Sequence, residues 1–274
     1  MLKLLKVGHC FHPEAMVMKG HSWQSMQFPA IVGLIKHPQK GYVLFDTGYA
    51  KRFKQETERF PERFYRWLTP FHICEKESLV YQLSQLNIGA DEINAIFISH
   101  FHADHISGLL DFPSASFICS KVALDTFISL GRIKGLIKGY LPKLLPSDFV
   151  KRCSFIEDTK KIIIRNKYAP FSAGYDVFSD GGFIAIPLPG HAVGQFGLLL
   201  ESSGKSCFLI GDACWTREAY QEGVRPNILT YAIMDNGKQY LETLDKLSQV
   251  YLSNKKIQII PSHCQLSFES FKSG

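Results

Sequence analysis

Long apolar runs are missing from this sequence, and their absence excludes two classes of protein. No segment approaches the ~20 consecutive apolar residues that a membrane-spanning helix needs. The first residues, 1–7, alternate charged and apolar side chains too closely for the apolar core of a signal peptide. We therefore expect no integral membrane segment and no secretion.

Paired cysteines and a basic stripe are missing as well. The seven cysteines are an odd number with no Cys-x-x-Cys spacing, which argues against a disulfide framework and for reduced thiols in a cytoplasmic protein. Lysine and arginine outnumber aspartate and glutamate by 31 to 25, a net charge of +6, but they are scattered. We expect no nucleic-acid partner, because proteins that bind nucleic acid concentrate their basic residues on one face.

What the sequence does contain is a cluster of metal-binding side chains directly after a predicted buried strand at residues 93–98. The cluster reads Ser99-His100-Phe101-His102-Ala103-Asp104-His105. In an extended chain His100 and His102 point to the same side and can share one cation. Residues 106–110 predict the first turn of a helix, which directs Asp104 and His105 towards a second position. The spacing indicates two metals, whereas a solvated surface turn fits poorly beside a core strand.

The pattern His100-x-His102-x-Asp104-His105 resembles the signature of the metallo-β-lactamase superfamily of binuclear hydrolases. Three further residues match the remaining ligands of that family in order, each after an apolar run. They are His191 in Leu188-Pro189-Gly190-His191, Asp212 in Ile210-Gly211-Asp212 and His263 in Ile259-Ile260-Pro261-Ser262-His263. The match extends from residue 46 to residue 263, and an ordered set of seven is more specific than any single motif.

The order of the predicted elements agrees with the fold of that family. Strands are predicted at 2–7, 28–36, 41–45, 93–98, 115–119, 153–156, 162–164, 175–178, 183–187, 195–200, 206–210 and 257–260, and helices at 75–86, 121–130 and 238–252. Two strand sets, each followed by helices, imply an α/β protein of the α+β type, with two sheets packed face to face and helices outside. The superfamily has this plan as an αββα sandwich of two mixed β-sheets. We expect a single domain over residues 1–274, with halves of about 1–150 and 151–274.

The resemblance also implies how the seven residues share two divalent metal ions. His100, His102 and His191 bind the first metal, Asp104, His105 and His263 the second, and Asp212 bridges them. Imidazole and carboxylate ligands suit zinc, and such sites also accept iron, manganese or cobalt. A hydroxide held between the metals is the nucleophile, so no serine or cysteine is required. Asp104, a ligand with a free oxygen, is our candidate for the catalytic residue that passes a proton to the leaving alkoxide.

Asp46, which ends the predicted third strand in Asp46-Thr47-Gly48, is also a recurrent feature of the superfamily. There it supports the metal-binding loops from behind, since metal-bound imidazoles commonly donate their other N–H to a carboxylate. An aspartate that caps a turn explains the same residue. The two interpretations are compatible.

Leu44-Phe45-Asp46-Thr47-Gly48, the run from Ser99 to Gly108, and Gly211-Asp212-Ala213 look most like the N-acyl-homoserine lactonase branch of the superfamily. This resemblance implies a small lactone or ester substrate. The lactonases commonly place a tyrosine three residues after the bridging aspartate, where its hydroxyl assists at the substrate carbonyl. This chain has Trp215 there, which we assign to the substrate pocket. Indole N–H donates a hydrogen bond but has no acidic proton to lend. Three alternatives stay open: a glyoxalase-II-like thioesterase, an organophosphate or aryl ester hydrolase, and a binding protein that keeps the metals without turnover.

Two segments have no role in this pattern. Residues 50–73 form an amphipathic insertion rich in aromatic side chains. It fits a wall over the active site, a homodimer contact, a membrane-touching lip or ordinary packing against the body. Residues 131–147 are basic and interrupted by glycine and proline, which fits a mobile lid or a linker equally well.

Overall fold

Apolar runs in the first half of the chain form a seven-stranded mixed sheet in the computed structural model, which describes residues 1–164 and 166–273. Its strands are β1 (Leu2–Pro13), β2 (Ser25–His37), β3 (Gly41–Phe45), β4 (Phe71–His72), β5 (Ile93–Phe97), β6 (Ser116–Cys119) and β7 (Cys153–Phe155). They lie in the order β4-β1-β2-β3-β5-β6-β7. Strands β1, β2 and β3 pair antiparallel in chain order, and β3, β5, β6 and β7 run parallel.

The second half of the chain supplies the other sheet, which has six strands in the described residues. They are β8 (Lys160–Ile163), β9 (Ala173–Asp176), β10 (Phe183–Pro187), β11 (Phe196–Ser202), β12 (Lys205–Gly211) and β13 (Gln258–Pro261), in the order β13-β12-β11-β10-β9-β8. Here β12 and β13 are parallel neighbours, and the other pairs are antiparallel. Because β7 pairs with β6, the first sheet takes its strands from residues up to 155.

Helices pack against both sheets. They are α1 (Glu14–Val17), α2 (Lys51–Glu56), α3 (Arg63–Leu68), α4 (Leu79–Ser84), α5 (Ala103–Ile106), α6 (Lys121–Ser129), α7 (Arg132–Ile137), α8 (Arg217–Gln221), α9 (Gly237–Ser253) and α10 (Gln265–Ser273). Side chains of α2, α4 and α6 pack on the first sheet, and those of α8 and α9 pack on the second. Within the described ranges, no helix has both the length and the apolar character needed to cross a membrane.

Side chains alternate between the two faces of each strand, and those on the inner faces fill the layer between the two sheets. Phe45 of β3 and Phe97 of β5 stack with ring centroids 5.5 Å apart, and they share a buried cluster with Leu198 and Leu209 of the second sheet. Leu44, one residue away, belongs to the outer cluster beneath the helices, as the two-residue period of a strand requires. Burial of each such side chain contributes roughly 1.5–3 kcal/mol. This arrangement confirms the αββα sandwich of two mixed sheets.

Two helix predictions differ from the structure in position. Residues 75–86 form a 3₁₀ turn at Glu75–Glu77 followed by α4, because Ser78 is extended and its hydroxyl accepts a hydrogen bond from the Tyr81 N–H. After β5, helix α5 begins at Ala103 and not near residue 106, since His102 is the last extended residue. Asp104 and His105 therefore lie on the helix itself.

The aromatic insertion packs one side on the body and exposes the other. Strand β4 extends the first sheet by pairing with β1, and the Phe53 side chain of α2 is fully buried. Phe60, Phe64 and Trp67 form an exposed cluster of edge-to-face rings. The segment at 131–147 contacts the insertion, because the Arg132 guanidinium of α7 donates two hydrogen bonds to the Glu62 carboxylate at 2.6 and 2.8 Å.

Candidate metal centre

The seven predicted ligands follow the carboxyl ends of strands. The histidine cluster follows β5, Asp212 follows β12 and His263 follows β13. Since β12 and β13 are parallel, their last residues reach the same edge of the second sheet. His191 lies in the connection between β10 and β11. Residues from both sheets thus meet at one end of the sandwich.

The loop that carries His191 is fixed by its contact with the start of α9. The Asn236 N–H donates to the Gly190 carbonyl at 2.9 Å, and the Asp235 N–H donates to the His191 carbonyl at 3.0 Å. Gly190 has a φ of +129°, and a Cβ atom there would lie 2.1 Å from the Tyr240 backbone nitrogen. Only glycine allows this close approach of loop and helix.

Three histidines form the first ligand group. His102 Nδ1 lies 3.0 Å from His100 Nε2 and 2.9 Å from His191 Nε2. Burial lowers the pKa of His102 to about 4 and that of His191 to about 3, and it holds the pKa of His100 well below its usual value. Near pH 7 the three rings are therefore neutral, the form in which imidazole binds a metal.

The second group contains one carboxylate and two histidines. Asp104 Oδ2 lies 3.3 Å from His263 Nε2 and 3.7 Å from His105 Nε2. Although burial opposes a charged ring, the carboxylates of Asp212, Asp104 and Asp46 raise the pKa of His105 to about 10. Burial likewise opposes charge on His263, and Asp212 and Asp104 raise its pKa well above the usual value. Without a cation, the His105 and His263 rings are protonated, and their charge is balanced by the Asp104 and Asp212 carboxylates.

Asp212 lies between the two groups. Its Oδ1 is 3.3 Å from His105 Nε2, and its Oδ2 is 3.3 Å from His191 Nε2 and 3.2 Å from His263 Nε2. Burial opposes its ionisation, but the charges on His263 and His105 hold the pKa of Asp212 well below its usual value. One carboxylate thus faces ligand atoms of both groups.

Asp46 contacts the centre from behind. Its Oδ1 accepts the Ser99 backbone N–H at 2.8 Å, and its Oδ2 accepts the Ser99 hydroxyl and the His105 Nδ1–H, each at 2.7 Å. The residue is buried and has a φ of +60°, a conformation in which aspartate is more frequent than most other residues. These bonds leave Nε2 as the free ring nitrogen of His105, directed at Asp212.

Two further contacts, which the sequence did not predict, fix other rings. The Ser99 hydroxyl gives its hydrogen to Asp46, so at 3.0 Å it accepts the His100 Nδ1–H. The Pro29 carbonyl at 2.7 Å accepts the His263 Nδ1–H. Nε2 of His100 therefore carries the lone pair, and Nε2 of His263 faces the Asp104 and Asp212 carboxylates. The serine directly before the histidine cluster was a signal for the first contact, whereas nothing in the local sequence marked Pro29.

The arrangement fits divalent cations. Two buried atoms at its centre, His105 Nε2 and Asp212 Oδ1, lie 3.3 Å apart without hydrogen-bond geometry, and neither has another hydrogen-bond partner among the described residues. Three sets with ligand atoms mutually within 4.8 Å occur here: His100, His102 and His191; Asp104, His105 and His263; and His100, His105 and Asp212. Imidazole and carboxylate donors at such spacing suit zinc and related divalent metals.

Trp215 faces the carboxylate of Asp212. Its Nε1–H donates to Asp212 Oδ2 at 2.9 Å, and its ring meets His191 edge-on with centroids 5.5 Å apart. The side chain is half-buried. The indole N–H is therefore committed to the metal-centre carboxylate, a contact that the sequence did not predict.

The chain matches known proteins over most of its length. The family model of the Metallo-beta-lactamase superfamily matches residues 28–250. The N-acyl homoserine lactonase AttM of Azorhizobium caulinodans is 25% identical over 254 residues, which covers 90% of this chain and 86% of that protein. AttM of Rhizobium radiobacter is 24% identical over 253 residues, with the same coverage of 90% and 86%.

Solved structures show the same fold. An N-acyl homoserine lactone hydrolase with N-hexanoyl-L-homoserine bound at its catalytic metal centre gives a TM-score of 0.74 at 20% identity, covering 100% of this chain and 95% of that one. The hydrolase AbOPH gives 0.63 at 18% identity, covering 97% and 87%. With a family match over residues 28–250 and this architecture, the chain belongs to the metallo-beta-lactamase superfamily.

Proposed function

We propose that the seven residues of the centre bind two divalent metal ions, zinc by default, and that Asp212 bridges them. The observation that carries this proposal is the pair of ligand groups meeting at one buried carboxylate. The first group combines residues from both halves of the chain, which supports a single functional domain. When bound, such a pair of ions lowers the pKa of water and polarises an ester carbonyl.

The side chains around the ions have separate tasks in this proposal. Asp46 and Ser99 orient the His105 and His100 rings through the bonds described above. Asp104 Oδ2 faces the His263 and His105 rings, so the other oxygen of Asp104 takes the proton released from water. It then delivers this proton to the leaving alkoxide oxygen.

We further propose that the substrate is the lactone ring of an N-acyl homoserine lactone. Similarity to the AttM lactonases over 90% of the chain supports this choice, as does the fold shared with a hydrolase that holds N-hexanoyl-L-homoserine. Ring opening adds water across the ester bond and yields a carboxylate, an alcohol and a proton.

The test combines elemental analysis of the purified protein with a substrate panel. We expect two metal equivalents and, among a long-chain N-acyl homoserine lactone, a thioester, an aryl ester and a phosphotriester, the highest kcat/KM for the lactone. Proton release in weak buffer reports ring opening. Faster thioester or phosphotriester hydrolysis with two metals bound would reassign the substrate, and two metals without any turnover would indicate a binding protein.

Replacing Asp46 by asparagine is expected to weaken metal binding about 10- to 100-fold, the range for partners of metal-bound imidazoles. Asparagine keeps the shape, but it removes the negative charge and one of the two acceptors that hold His105 and Ser99. Competition with a chromophoric chelator measures the affinity. Asp111→Asn, which changes a carboxylate that pairs with Arg52 and belongs to neither ligand group, is the matched control. Equal affinities in the two variants would contradict the supporting role.

Trp215→Phe separates two roles for the tryptophan. Phenylalanine keeps an aromatic ring beside His191 but removes the N–H that Asp212 accepts. We expect metal affinity to fall about tenfold, with a smaller change in KM. Chelator competition and steady-state kinetics on the same preparation distinguish the outcomes, with Trp67→Phe at an exposed position as control. A raised KM at unchanged metal affinity would instead place Trp215 in substrate binding alone.

A further inference from the structure

A phenol from the aromatic insertion lies beside the metal centre. Tyr65 belongs to α3, far in sequence from the ligands. A Cβ atom built on Gly139 would lie 3.1 Å from His102 Cδ2 and 3.5 Å from Tyr65 Oη. The phenol oxygen and the edge of the His102 ring therefore border the same small space, about one methyl group wide.

The surrounding side chains hold the Tyr65 ring in place. It meets Phe53 edge-on with centroids 5.5 Å apart, and Phe53 is itself fully buried and packs edge-on against Phe71 at 4.5 Å. The Tyr65 side chain is half-buried and contacts the outer hydrophobic cluster of the first sheet. This packing restricts the movement of the Tyr65 ring.

The hydroxyl is also electrostatically linked to the ligand loop. Ala103, directly between His102 and Asp104, has its backbone near the phenol oxygen, and burial together with the Asp104 charge raises the pKa of Tyr65 well above its usual value. Ala103 is the first residue of α5, where backbone N–H groups have no partner within the helix. An N–H that approaches the phenol oxygen leaves the phenol hydrogen available to an acceptor.

We propose that Tyr65 is a catalytic residue whose O–H donates a hydrogen bond to the carbonyl oxygen of the ester substrate. This inference rests on the proposed function. As hydroxide forms a bond to the carbonyl carbon, the C=O electron pair moves onto oxygen, and the Tyr65 hydrogen bond stabilises that charge. The pair then returns, the ring C–O bond breaks, and the departing alkoxide takes its proton from Asp104. The only other reactants are the ester and water.

Trp215 does not supply this hydrogen bond. Its single N–H is already donated to Asp212 at 2.9 Å, and indole has no second donor. Tyr65 belongs instead to the aromatic insertion, which precedes the ligand motifs in the sequence. A neutral hydroxyl is suited to the task because it donates without adding charge to a site that already holds several ionised groups.

Tyr65→Phe tests the inference because it removes one oxygen and keeps the ring that packs on Phe53. We expect kcat for the lactone to fall on the order of 10²-fold, as for loss of one oxyanion donor, with two metals still bound. A readout without turnover is calorimetric binding of the corresponding N-acyl homoserine lactam, whose amide resists hydrolysis but keeps the carbonyl acceptor. Its affinity should fall about tenfold, the scale of one hydrogen bond. Tyr42→Phe, a half-buried phenol on β3 beside Lys36, is the matched control.

The outcomes separate this inference from the proposed function. Equal kcat and equal lactam affinity in wild type and Tyr65→Phe overturn the role of Tyr65 and leave the lactonase proposal standing. Lack of lactone turnover in wild type, with lactam binding weakened only in Tyr65→Phe, overturns the lactonase proposal and supports the contact. A Tyr65→Phe protein that binds fewer metal ions shows a structural role instead, and a wild type that neither opens the lactone nor binds the lactam overturns both.

Discussion

Replacing Asp212 by alanine is expected to remove bound metal and hydrolysis together. Asp212 is buried, and its two oxygens lie within 3.3 Å of one nitrogen each from His105, His191 and His263. Loss of partners that merely orient ligands weakens metal binding about 10- to 100-fold. Loss of a bridging ligand should exceed that range, because it removes negative charge from both metal positions at once. We expect fewer than two metal equivalents after dialysis and kcat/KM reduced by more than about 100-fold.

The control for this prediction is Asp245→Ala, which makes the same change in a carboxylate paired with Arg225 on the surface. Elemental analysis and lactone hydrolysis are measured on both variants after identical dialysis. Circular dichroism establishes that each variant is folded. An Asp212→Ala protein that retains two metals would contradict the bridging role, and one that loses metal but keeps turnover would contradict a metal-dependent reaction.

Removing the metals with a chelator is expected to abolish hydrolysis, and adding zinc back should restore it. Zinc binding should release protons from the second ligand group and almost none from the first. The first group is already neutral near pH 7, because the pKa values of His102 and His191 are about 4 and 3. In the second group the pKa of His105 is about 10 and that of His263 is raised well above its usual value. A metal entering the second group must displace one proton from each ring, so its affinity rises with pH.

Titration calorimetry in buffers of different ionisation enthalpy measures these protons. At about pH 6, below the pKa near 7 of zinc-bound water, we expect close to two protons released in total and almost none from the first group. In the metal-free protein, charged His105 stabilises the fold fully below its ordinary pKa of 6.5, and that stability is lost as the pH rises through about 10. Metal binding without proton release at about pH 6 would show that the second group is neutral before the metal enters.

The sequence predicted the elements of the fold well where its pattern is local. The strands around residues 41–45, 93–97 and 183–187 were identified by apolar runs of strand length, and α9 by its helical period. Strand β4 was missed because two residues carry no period, and its existence depends on pairing with β1. The strand at 153–155 was predicted, but only its pairing with β6 shows which sheet it joins.

The identity and order of the candidate ligands were also determined by the sequence alone, since each follows a recognisable strand and matches a family motif. Their contacts were decided by tertiary structure. His191 and His102 are 89 residues apart in sequence but have nitrogens 2.9 Å apart. The partners of Asp46, the bond from Trp215 to Asp212 and the position of Tyr65 beside His102 likewise depend on separate elements packing together. Hydrophobic periodicity predicts which face of each strand or helix is buried. Contacts between side chains of different elements follow only from how the two sheets pack together.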